Sequence, residues 1–386
     1  MSSNKKLLVL ILDAFSDKYL KYTSYLSKLC KEYYCATIEP MFAYEGIATA
    51  ILTGLDIRES GIWHDKIFVP SGRKDLKVRF LKPFVSLIDA VSPTDYINKA
   101  LRFFLFKIFR EEYGTPHLIP SKYLEYFATY RHRNKDIPDL FQILKGHGIG
   151  SIWIEPKLSF MERGALRNTI NLFRRYDFIV VKLNSLDRLG HKYGPFSSKV
   201  RERVKYLDDI VEEAINMLQS KINNFSFIIM SDHGMVPVEK FVNIEKIFTK
   251  ETSIRPLVDY IPYIGSTFAS FFILNKKAES TIRKILQGLS SYGKILTEYD
   301  LNMLGIDKKL YGHIIFALND GVVFFPNFFQ RRNIPKGMHG YAYSKYDNAI
   351  FMAFGISIKD TLPQTLKYSD IFKILIDFWV APEEIS

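Results

Sequence analysis

Residues 225–234 read FSFIIMSDHG, and this stretch decides how the chain is expected to fold. A short, nearly continuous apolar run is typical of a strand that is covered on both faces of a parallel sheet. Asp232 and His233 follow that run directly, and Gly234 permits a sharp turn after them. Polar residues just past such strands lie at the sheet edge where ligands bind in α/β proteins. Taken alone, however, an Asp-His pair in a turn is more often a helix cap.

The same pattern occurs twice more along the chain. Residues 7–12 (LLVLIL) are followed by Asp13, and residues 178–183 (FIVVKL) lead to Asp187. Because the carboxyl ends of parallel strands meet at one edge of a sheet, we expect Asp13, Asp187 and Asp232 to lie close together.

Helical stretches separate these apolar runs. Residues 19–32 form the first, and residues 199–223 carry apolar side chains at i, i+3 and i+4 spacing. A further apolar run covers residues 150–154. The pattern predicts an α/β fold with a mostly parallel central sheet and helices on both faces. We expect residues 1–386 to form one domain, because α/β enzymes of this length are often one domain with insertions.

Two stretches fit this alternation poorly and are expected to be insertions. Residues 64–134 are basic and aromatic, and we predict that they form a cap over the sheet edge. Residues 242–335 contain the strand-like runs SFFILN and GVVFFPN. We predict that this second insertion is partly cap and partly the far edge of the sheet.

Two histidine motifs complete a set of metal-ligand types. Residues 187–195 (DRLGHKYGP) place His191 four positions after Asp187, and the glycines and proline predict a tight loop rather than a helix. Residues 336–343 (KGMHGYAY) place His339 between two glycines, on a predicted flexible loop. Three carboxylates and three imidazoles divide naturally between two adjacent divalent ions. The candidate metal ligands are Asp13, Asp187, His191, Asp232, His233 and His339.

The order of these motifs resembles the alkaline phosphatase superfamily, most closely its nucleotide pyrophosphatase/phosphodiesterase branch. Residues 51–63 (ILTGLDIRESGIW) are also similar to a family segment, with Ile57 and Ser60 where proline and histidine are usual. The resemblance implies an alkaline-phosphatase-like fold and two zinc-like ions, and the same N and O ligands suit manganese. It implies one ion held by Asp13, Asp232 and His233. The other ion would be held by Asp187, His191 and His339.

The resemblance also implies a hydroxyl nucleophile ten residues before Gly54, and that position is Tyr44 instead of Ser or Thr. Three hypotheses follow. Tyr44 attacks phosphorus as a phenolate, because a bound cation lowers its pKa. Alternatively, a metal-bound hydroxide attacks, with Glu45 as general base or additional ligand. In the third, the site binds metal and ligand but turns over slowly or not at all.

By resemblance, the chain is expected to be a metal-dependent phosphodiesterase or related hydrolase acting on a small phosphate ester. The ester could be a nucleotide or a lipid- or sugar-linked phosphate. Lys182 and Asn184, just before Asp187, are predicted to contact a phosphate oxygen. The alternative is a metal-bearing pseudoenzyme or binding protein that recognises a phosphorylated ligand.

The charge balance is basic, with 53 Lys and Arg against 41 Asp and Glu, giving a formal net charge of +12. Such an excess suits a phosphate substrate, an acidic membrane surface or nucleic acid, or is an ordinary solvated surface. No nucleic-acid-binding motif is present, so sequence-specific nucleic-acid binding is not expected. Residues 96–113 interleave basic and Phe residues, which predicts either peripheral membrane contact or a helix packed on the core.

The amino-terminal run resembles a signal peptide, but it is short and ends on Asp13. No stretch approaches the ~20 apolar residues that span a bilayer. We therefore predict a cytoplasmic protein. The two cysteines, Cys30 and Cys35, are close enough for a local disulfide, but free thiols are the expectation for that location.

Overall fold

The computed structural model describes residues 5–43, 45–70, 72, 76–109, 117–129, 137–344, 346–356 and 363–380. Within these ranges the strands are β1 (Lys6–Leu12), β2 (Tyr34–Ile38), β3 (Lys66–Phe68), β4 (Phe127–Thr129), β5 (Ser151–Ile154), β6 (Phe178–Leu183), β7 (Phe225–Met230), β8 (Val236–Pro237), β9 (Lys240–Val242), β10 (Tyr260–Ile264), β11 (Phe268–Ile273), β12 (Gly293–Ile295), β13 (Ile314–Leu318), β14 (Val322–Phe324), β15 (Gly337–Met338), β16 (Ala349–Phe354) and β17 (Thr365–Leu366). The helices are α1 (Tyr25–Glu32), α2 (Ile47–Thr53), α3 (Ile57–Ser60), α4 (Leu76–Val91), α5 (Asp95–Ile108), α6 (Leu140–Gly146), α7 (Glu162–Leu172), α8 (Ser185–Tyr193), α9 (Ser198–Gln219), α10 (Ile244–Phe248), α11 (Lys277–Gln287), α12 (Glu298–Leu304), α13 (Lys308–Tyr311) and α14 (Tyr368–Trp379).

A central sheet organises the described chain, with strand order β17-β2-β16-β7-β1-β6-β5. Strand β1 lies between β6 and β7 and pairs with both in parallel, so that Leu7 is opposite Phe178 on one side and Ser226 on the other. Strand β16 runs antiparallel to its neighbours β2 and β7. The prediction of an α/β fold with a mostly parallel sheet is confirmed.

Successive side chains of β1 supply two different cores, one on each face of the sheet. Leu8 and Leu10 pack in a cluster with Leu207 of α9. Leu7 and Val9 belong to the opposite cluster, which includes residues of α2 and α14. Because a fully buried Val or Leu side chain contributes about 1.5–3 kcal/mol, this two-sided burial makes β1 the main structural support of the sheet.

A second, antiparallel sheet has the strand order β10-β11-β13-β12. It forms a third hydrophobic core together with the antiparallel pair β3–β4. The rings of Phe68 in β3 and Phe272 in β11 stack with their centroids 4.0 Å apart. Side chains from both predicted insertions, residues 64–134 and 242–335, thus share one core. The insertion boundaries and their role as caps stay predictions.

Helices α4 and α5 form a hairpin within the first of these segments. Leu81 and Val85 of α4 pack against Phe106 of α5 on its inner side. Across the described residues, no helix combines the length and the apolar character that crossing a membrane requires.

The segment DRLGHKYGP is helical, because α8 covers Ser185–Tyr193 and ends before Gly194, which has a φ of 90°. The predicted tight loop is therefore wrong. Gly190 serves packing rather than a turn, since a Cβ there would lie 2.3 Å from Met235 Sδ. Proline at position 195 lies beyond the helix end and does not interrupt it.

Cys30 and Cys35 form a disulfide with their Cα atoms 5.0 Å apart. The expectation of two free thiols is therefore wrong. The bond joins α1 to β2 across the short connection between them. The spacing of the two cysteines permits a disulfide but does not by itself distinguish it from two free thiols.

Reduction of this disulfide is expected to lower the free energy of unfolding by about 2 kcal/mol, because the bond closes a short loop and constrains the unfolded chain modestly. Chemical denaturation with and without reductant measures the difference. The double variant Cys30→Ser, Cys35→Ser is the control and should not respond to reductant. Equal curves for the oxidised and reduced wild type would contradict the prediction.

Replacing Gly190 with Ala is expected to destabilise the protein by about 1–3 kcal/mol, because the new methyl group overlaps Met235 in a packed interface. Gly164 is a matched control. It lies in α7, and a Cβ there meets nothing within 4 Å. Gly164→Ala should be neutral or stabilising by about 0.5–1 kcal/mol. Thermal unfolding of both variants tests the pair, and equal effects would contradict the packing argument.

Candidate metal centre and active site

Three buried or half-buried carboxylates meet where the three central parallel strands end. Asp13 follows β1, Asp232 follows β7, and Asp187 lies in the first turn of α8 after β6. Potential ligand atoms of Asp13, Asp232 and His233 all lie within 4.8 Å of one another. The same holds for Asp187, His233 and His339. The two groups overlap at His233. His191 joins the second group through its contact with Asp187, and together these six residues form what we call the Asp-His centre.

In the first group, His233 Nε2 lies 3.4 Å from Asp13 Oδ1 and 3.9 Å from Asp232 Oδ1. The backbone N–H of Ala14 donates a hydrogen bond of 3.3 Å to Asp232 Oδ1. Ala14 has a φ of 62°, a left-handed conformation that costs an L-residue energy. The turn after β1 therefore brings a backbone donor into the centre and holds Asp232 in place.

In the second group, one turn of α8 places Asp187 and His191 on the same helix face. His191 Nε2 lies 3.2 Å from Asp187 Oδ1, and His339 Nε2 lies 3.6 Å from the same oxygen. His191 Nδ1 is 2.8 Å from the carbonyl oxygen of Gly337, which orients the ring so that Nε2 faces the centre. The rings of His233 and His339 stack with centroids 3.6 Å apart, linking the two groups.

Lys182 of β6 lies between two of these carboxylates. Its Nζ atom is 2.6 Å from Asp232 Oδ2 and 3.1 Å from Asp13 Oδ2. Burial by itself lowers the pKa of Lys182, but the charges of Asp232 and Asp13 outweigh burial and raise it. Lys182 is thus an ammonium ion that neutralises the carboxylates. Asn184, the other predicted phosphate contact, is the N-cap residue of α8. Its side-chain amide donates a hydrogen bond to the carboxylate of Glu155.

The carboxylates of this centre repel one another and depend on nearby positive charges. Burial, followed by the charges of Asp232 and Asp187, raises the pKa of Asp13 to about 7. Burial lowers the pKa of His233, but the charges of Asp232 and Asp13 reverse that and raise it to about 9. Burial raises the pKa of Asp187, whereas the charge and hydrogen bond of His191 bring it below its usual range. Positive charge is needed wherever these carboxylates ionise.

Asp347 supports the centre, a role that the sequence motifs do not predict. Its Oδ2 accepts a 2.7 Å hydrogen bond from the Gly340 N–H, and its backbone oxygen accepts one of 3.0 Å from Gly234 N–H. It therefore ties together the turns that carry His339 and His233. Tyr368 of α14 adds a further restraint, because its hydroxyl donates to the carbonyl of Asp232. Neither residue lies in a motif, so no sequence signal distinguished them.

Tyr44 lies outside the described residues, but its neighbour Ala43 is placed. The N–H of Ala43 donates to the carbonyl of Gly340 over 3.2 Å, next to His339. Ala43 also has a left-handed φ of 64°. Strained backbone of this kind costs of order 1–3 kcal/mol and concentrates at functional sites. Ala43 is therefore held beside the turn that carries His339.

Glu45 belongs to a separate cluster with Asp65 and His117. His117 Nε2 lies 3.8 Å from Glu45 Oε1 and 3.4 Å from Asp65 Oδ1. Burial, then the charge of Asp65, raises the pKa of Glu45 well above its usual value. Glu45 is thus grouped with His117 and Asp65 rather than with the Asp-His centre.

The Asp-His centre has the chemistry of a divalent-metal site. Buried Asp13 Oδ1 accepts no hydrogen bond from any described residue. Imidazole nitrogens and carboxylate oxygens are the ligands that zinc and manganese accept. The ammonium of Lys182 shows that a positive charge between Asp13 and Asp232 is stable there. The residues present therefore fit divalent cations.

Comparison with known proteins agrees with this geometry. Over 97% of this chain and 95% of the other, the fold is similar to murine ectonucleotide pyrophosphatase/phosphodiesterase 5, solved as an inactive variant with AMP, at 15% identity and a TM-score of 0.67. The human counterpart matches with the same coverage, identity and TM-score. At such identity the likeness shows the fold alone.

Sequence comparison is more specific. Alkaline phosphatase PhoV of Synechococcus elongatus is 27% identical over 124 residues, which are 31% of this chain and 22% of that protein. The chain thus matches about a fifth of that relative's length. The family profile described as type I phosphodiesterase/nucleotide pyrophosphatase matches residues 7–342, a span that contains the whole Asp-His centre. The chain therefore belongs to the type I phosphodiesterase/nucleotide pyrophosphatase family.

Proposed function

We propose that the protein is a two-metal phosphodiesterase that hydrolyses small phosphate esters. Membership in the family supports a phosphate-ester hydrolase. The observation that carries the finer proposal is the convergence of three carboxylates and three imidazoles at the carboxyl edge of β1, β6 and β7. Six such ligands exceed what one cation requires, and they divide into two adjacent groups at the same edge of the sheet.

Each ion has its own ligands in this proposal. Asp13, Asp232 and His233 would hold one, and Asp187, His191 and His339 the other. When bound, the pair would polarise phosphate oxygens and lower the pKa of an attacking hydroxyl group or water. Zinc is the proposed metal, and manganese is compatible with the same atoms.

Lys182 and Asn184 are proposed to contact substrate. Once cations neutralise Asp13 and Asp232, the ammonium of Lys182 is no longer required between them and becomes available to a phosphate oxygen. Asn184 already has a partner in Glu155, so binding a phosphate would require that contact to open. Lys182 is therefore the stronger candidate of the two.

The nucleophile is proposed to act from the segment that follows Ala43. The hydrogen bond from Ala43 to Gly340 holds Ala43 beside the turn of His339, and this supports a role for the next residue, Tyr44, near the metal pair. In the phenolate hypothesis Tyr44 attacks phosphorus itself. In the hydroxide hypothesis water attacks. Glu45 and its neighbour His117 then act as acid–base groups, and Glu45 is not a ligand of the metal pair.

A nucleotide ester is the first substrate to test, because the similar murine structure holds AMP. A cytoplasmic location stays a prediction. The Cys30–Cys35 disulfide bears on that prediction, because such bonds persist mainly in oxidising compartments. Thiol trapping in the source cells would decide: a mostly reduced pair supports the cytoplasm, and a mostly oxidised pair contradicts it.

Each bound metal ion is expected to stabilise the wild type by about 2.7 kcal/mol when the free metal concentration is a hundred times Kd. Asp13→Asn should lose this stabilisation and bind less metal. Without metal the variant should be at least as stable as wild type, because the substitution removes one of several mutually repelling buried carboxylates. Elemental analysis and thermal unfolding with chelator and with added Zn²⁺ measure both effects.

Asp209→Asn is the matched control for this experiment. Asp209 lies on the exposed face of α9, so the variant should bind and respond to metal as wild type does. If Asp13→Asn keeps full metal content, or if wild type binds none, the two-metal proposal fails.

Tyr44→Phe separates the nucleophile hypotheses. In the phenolate hypothesis the variant should lose hydrolysis of an aryl phosphodiester by at least about a thousandfold, because the bond-forming oxygen is gone. In the hydroxide hypothesis it should retain the rate within about tenfold. Quenched reactions analysed by mass spectrometry provide a second readout, since only the phenolate route forms a phosphotyrosine at position 44.

The alternative is a binding protein that recognises a phosphorylated ligand through the same centre. It predicts stoichiometric metal and ligand binding without turnover over a panel of phosphate mono- and diesters and sulfate esters. Turnover that a chelator abolishes and that Asp13→Asn lacks would exclude this alternative.

A further inference from the structure

The largest concentration of exposed apolar side chains lies on one side of the α4–α5 hairpin. Helix α4 shows a stripe with helical spacing on its solvent side, and α5 shows another. The two stripes, which we call the outer face, comprise Leu76, Phe80, Phe84, Leu87 and Val91 in α4 and Ile97, Leu101, Phe104 and Ile108 in α5. The Phe80 ring packs between Phe84 and Phe109, which joins the two helices at this surface. Monomeric soluble proteins seldom expose an apolar surface of this extent without a partner.

Helix α5 buries polar side chains beside Phe106 on its inner side and exposes apolar ones on its outer side. Its inner side buries Asn98 and Arg102, which are 3% and 0% exposed, whereas Phe104 is 61% exposed. A surface helix normally buries its apolar stripe and exposes its polar one. Burying a guanidinium is costly unless it is paired, so this orientation requires specific partners on the body of the protein.

Those partners are present. Asp89 at the end of α4 accepts hydrogen bonds from Asn98 Nδ2 at 2.9 Å and Arg102 Nε at 3.1 Å. Arg102 also donates to the carbonyl of Ile119 over 2.9 Å, and Arg331 Nη1 lies 3.4 Å from Asp89 Oδ2. This network fixes the hairpin to the body by its polar side. The apolar stripes face outward as a consequence of these specific hydrogen bonds.

Charge indicates what covers the outer face. Residues 76–109 contain six basic and two acidic residues. Of the basic ones, Arg102 is buried in the network above and Lys82 pairs with Glu125 over 2.8 Å. Both acids are turned toward the body: Asp89 joins the network above, and Asp95 Oδ2 accepts a 2.8 Å hydrogen bond from the N–H of Arg331. Arg79 and Lys107 are exposed on the hairpin. An apolar face with exposed cations is complementary to an interface of acyl chains and anionic headgroups.

A second copy of the chain is a weaker occupant. Two hairpins brought face to face would oppose their basic residues, and each chain carries a formal charge of +12. An anionic bilayer attracts the same charges.

We propose that the α4–α5 hairpin docks the protein on anionic lipid bilayers. The outer face inserts at the level of the acyl-chain boundary, and Arg79 and Lys107 contact the headgroups. The attachment is peripheral, because the helices lie along the interface. This surface is separate from the Asp-His centre, and its test does not depend on hydrolysis.

Co-sedimentation of the full-length protein with vesicles tests the proposal. Wild type should bind vesicles of phosphatidylcholine mixed with phosphatidylserine, bind phosphatidylcholine alone more weakly, and lose binding as salt increases. The triple variant Phe84→Ser, Leu87→Ser, Phe104→Ser should bind the anionic vesicles at least about tenfold more weakly, since three inserted side chains are lost. Phe160→Ser is the matched control, because Phe160 is 77% exposed and lies outside the hairpin.

A tryptophan probe serves if the triple variant fails to fold. Phe104→Trp should show a blue shift of its added emission on anionic vesicles, and Phe160→Trp should not. The proposal is overturned if wild type does not bind anionic vesicles, if the triple variant binds as wild type does, or if both probes respond alike. It is also overturned if wild type dimerises in solution and the triple variant abolishes the dimer, because the face would then join two copies.

Discussion

Buried negative charge at the carboxyl edge of three adjacent parallel strands is the constraint on which this structure depends. Because β1 lies between β6 and β7, Asp13, Asp187 and Asp232 must converge once the sheet forms. Convergence in a low-dielectric setting is unfavourable for carboxylates unless cations are near. Lys182 on the neighbouring strand, together with the imidazoles, meets part of that requirement, and the remaining deficit makes the edge receptive to metal.

The surrounding turns can be understood as supports for this edge. Asp347 holds the two turns that bear His233 and His339, and Tyr368 fixes the backbone at Asp232. The left-handed residues Ala14 and Ala43 both donate backbone hydrogen bonds at or beside the centre. Their strain is tolerated because the packed sheet holds the chain on either side of it.

Much of the centre could be predicted because apolar runs and the polar residues after them are local features. Other parts were beyond the sequence for physical reasons. The glycine at position 190 predicts a loop, whereas in the structure it leaves room for the side chain of Met235. That contact joins residues far apart along the chain, so no local pattern reveals it. The helical period of α5 is visible in the sequence, but the side that faces the body is set by Asp89 and Arg331. Tyr44 stays the least determined residue, since neither its type nor its placement identifies its chemistry.

The core shared by the two insertions limits how such a protein can be altered. Phe68 and Phe272 stack across it, and Arg331 bridges the second insertion to the hairpin of the first. Exchanging one of these predicted insertions with that of a relative would leave half of a hydrophobic interface and would remove the contact between Arg331 and Asp89. A viable chimera would have to transplant both segments together. Variation in these two segments is therefore expected to be correlated, because each supplies half of their common core.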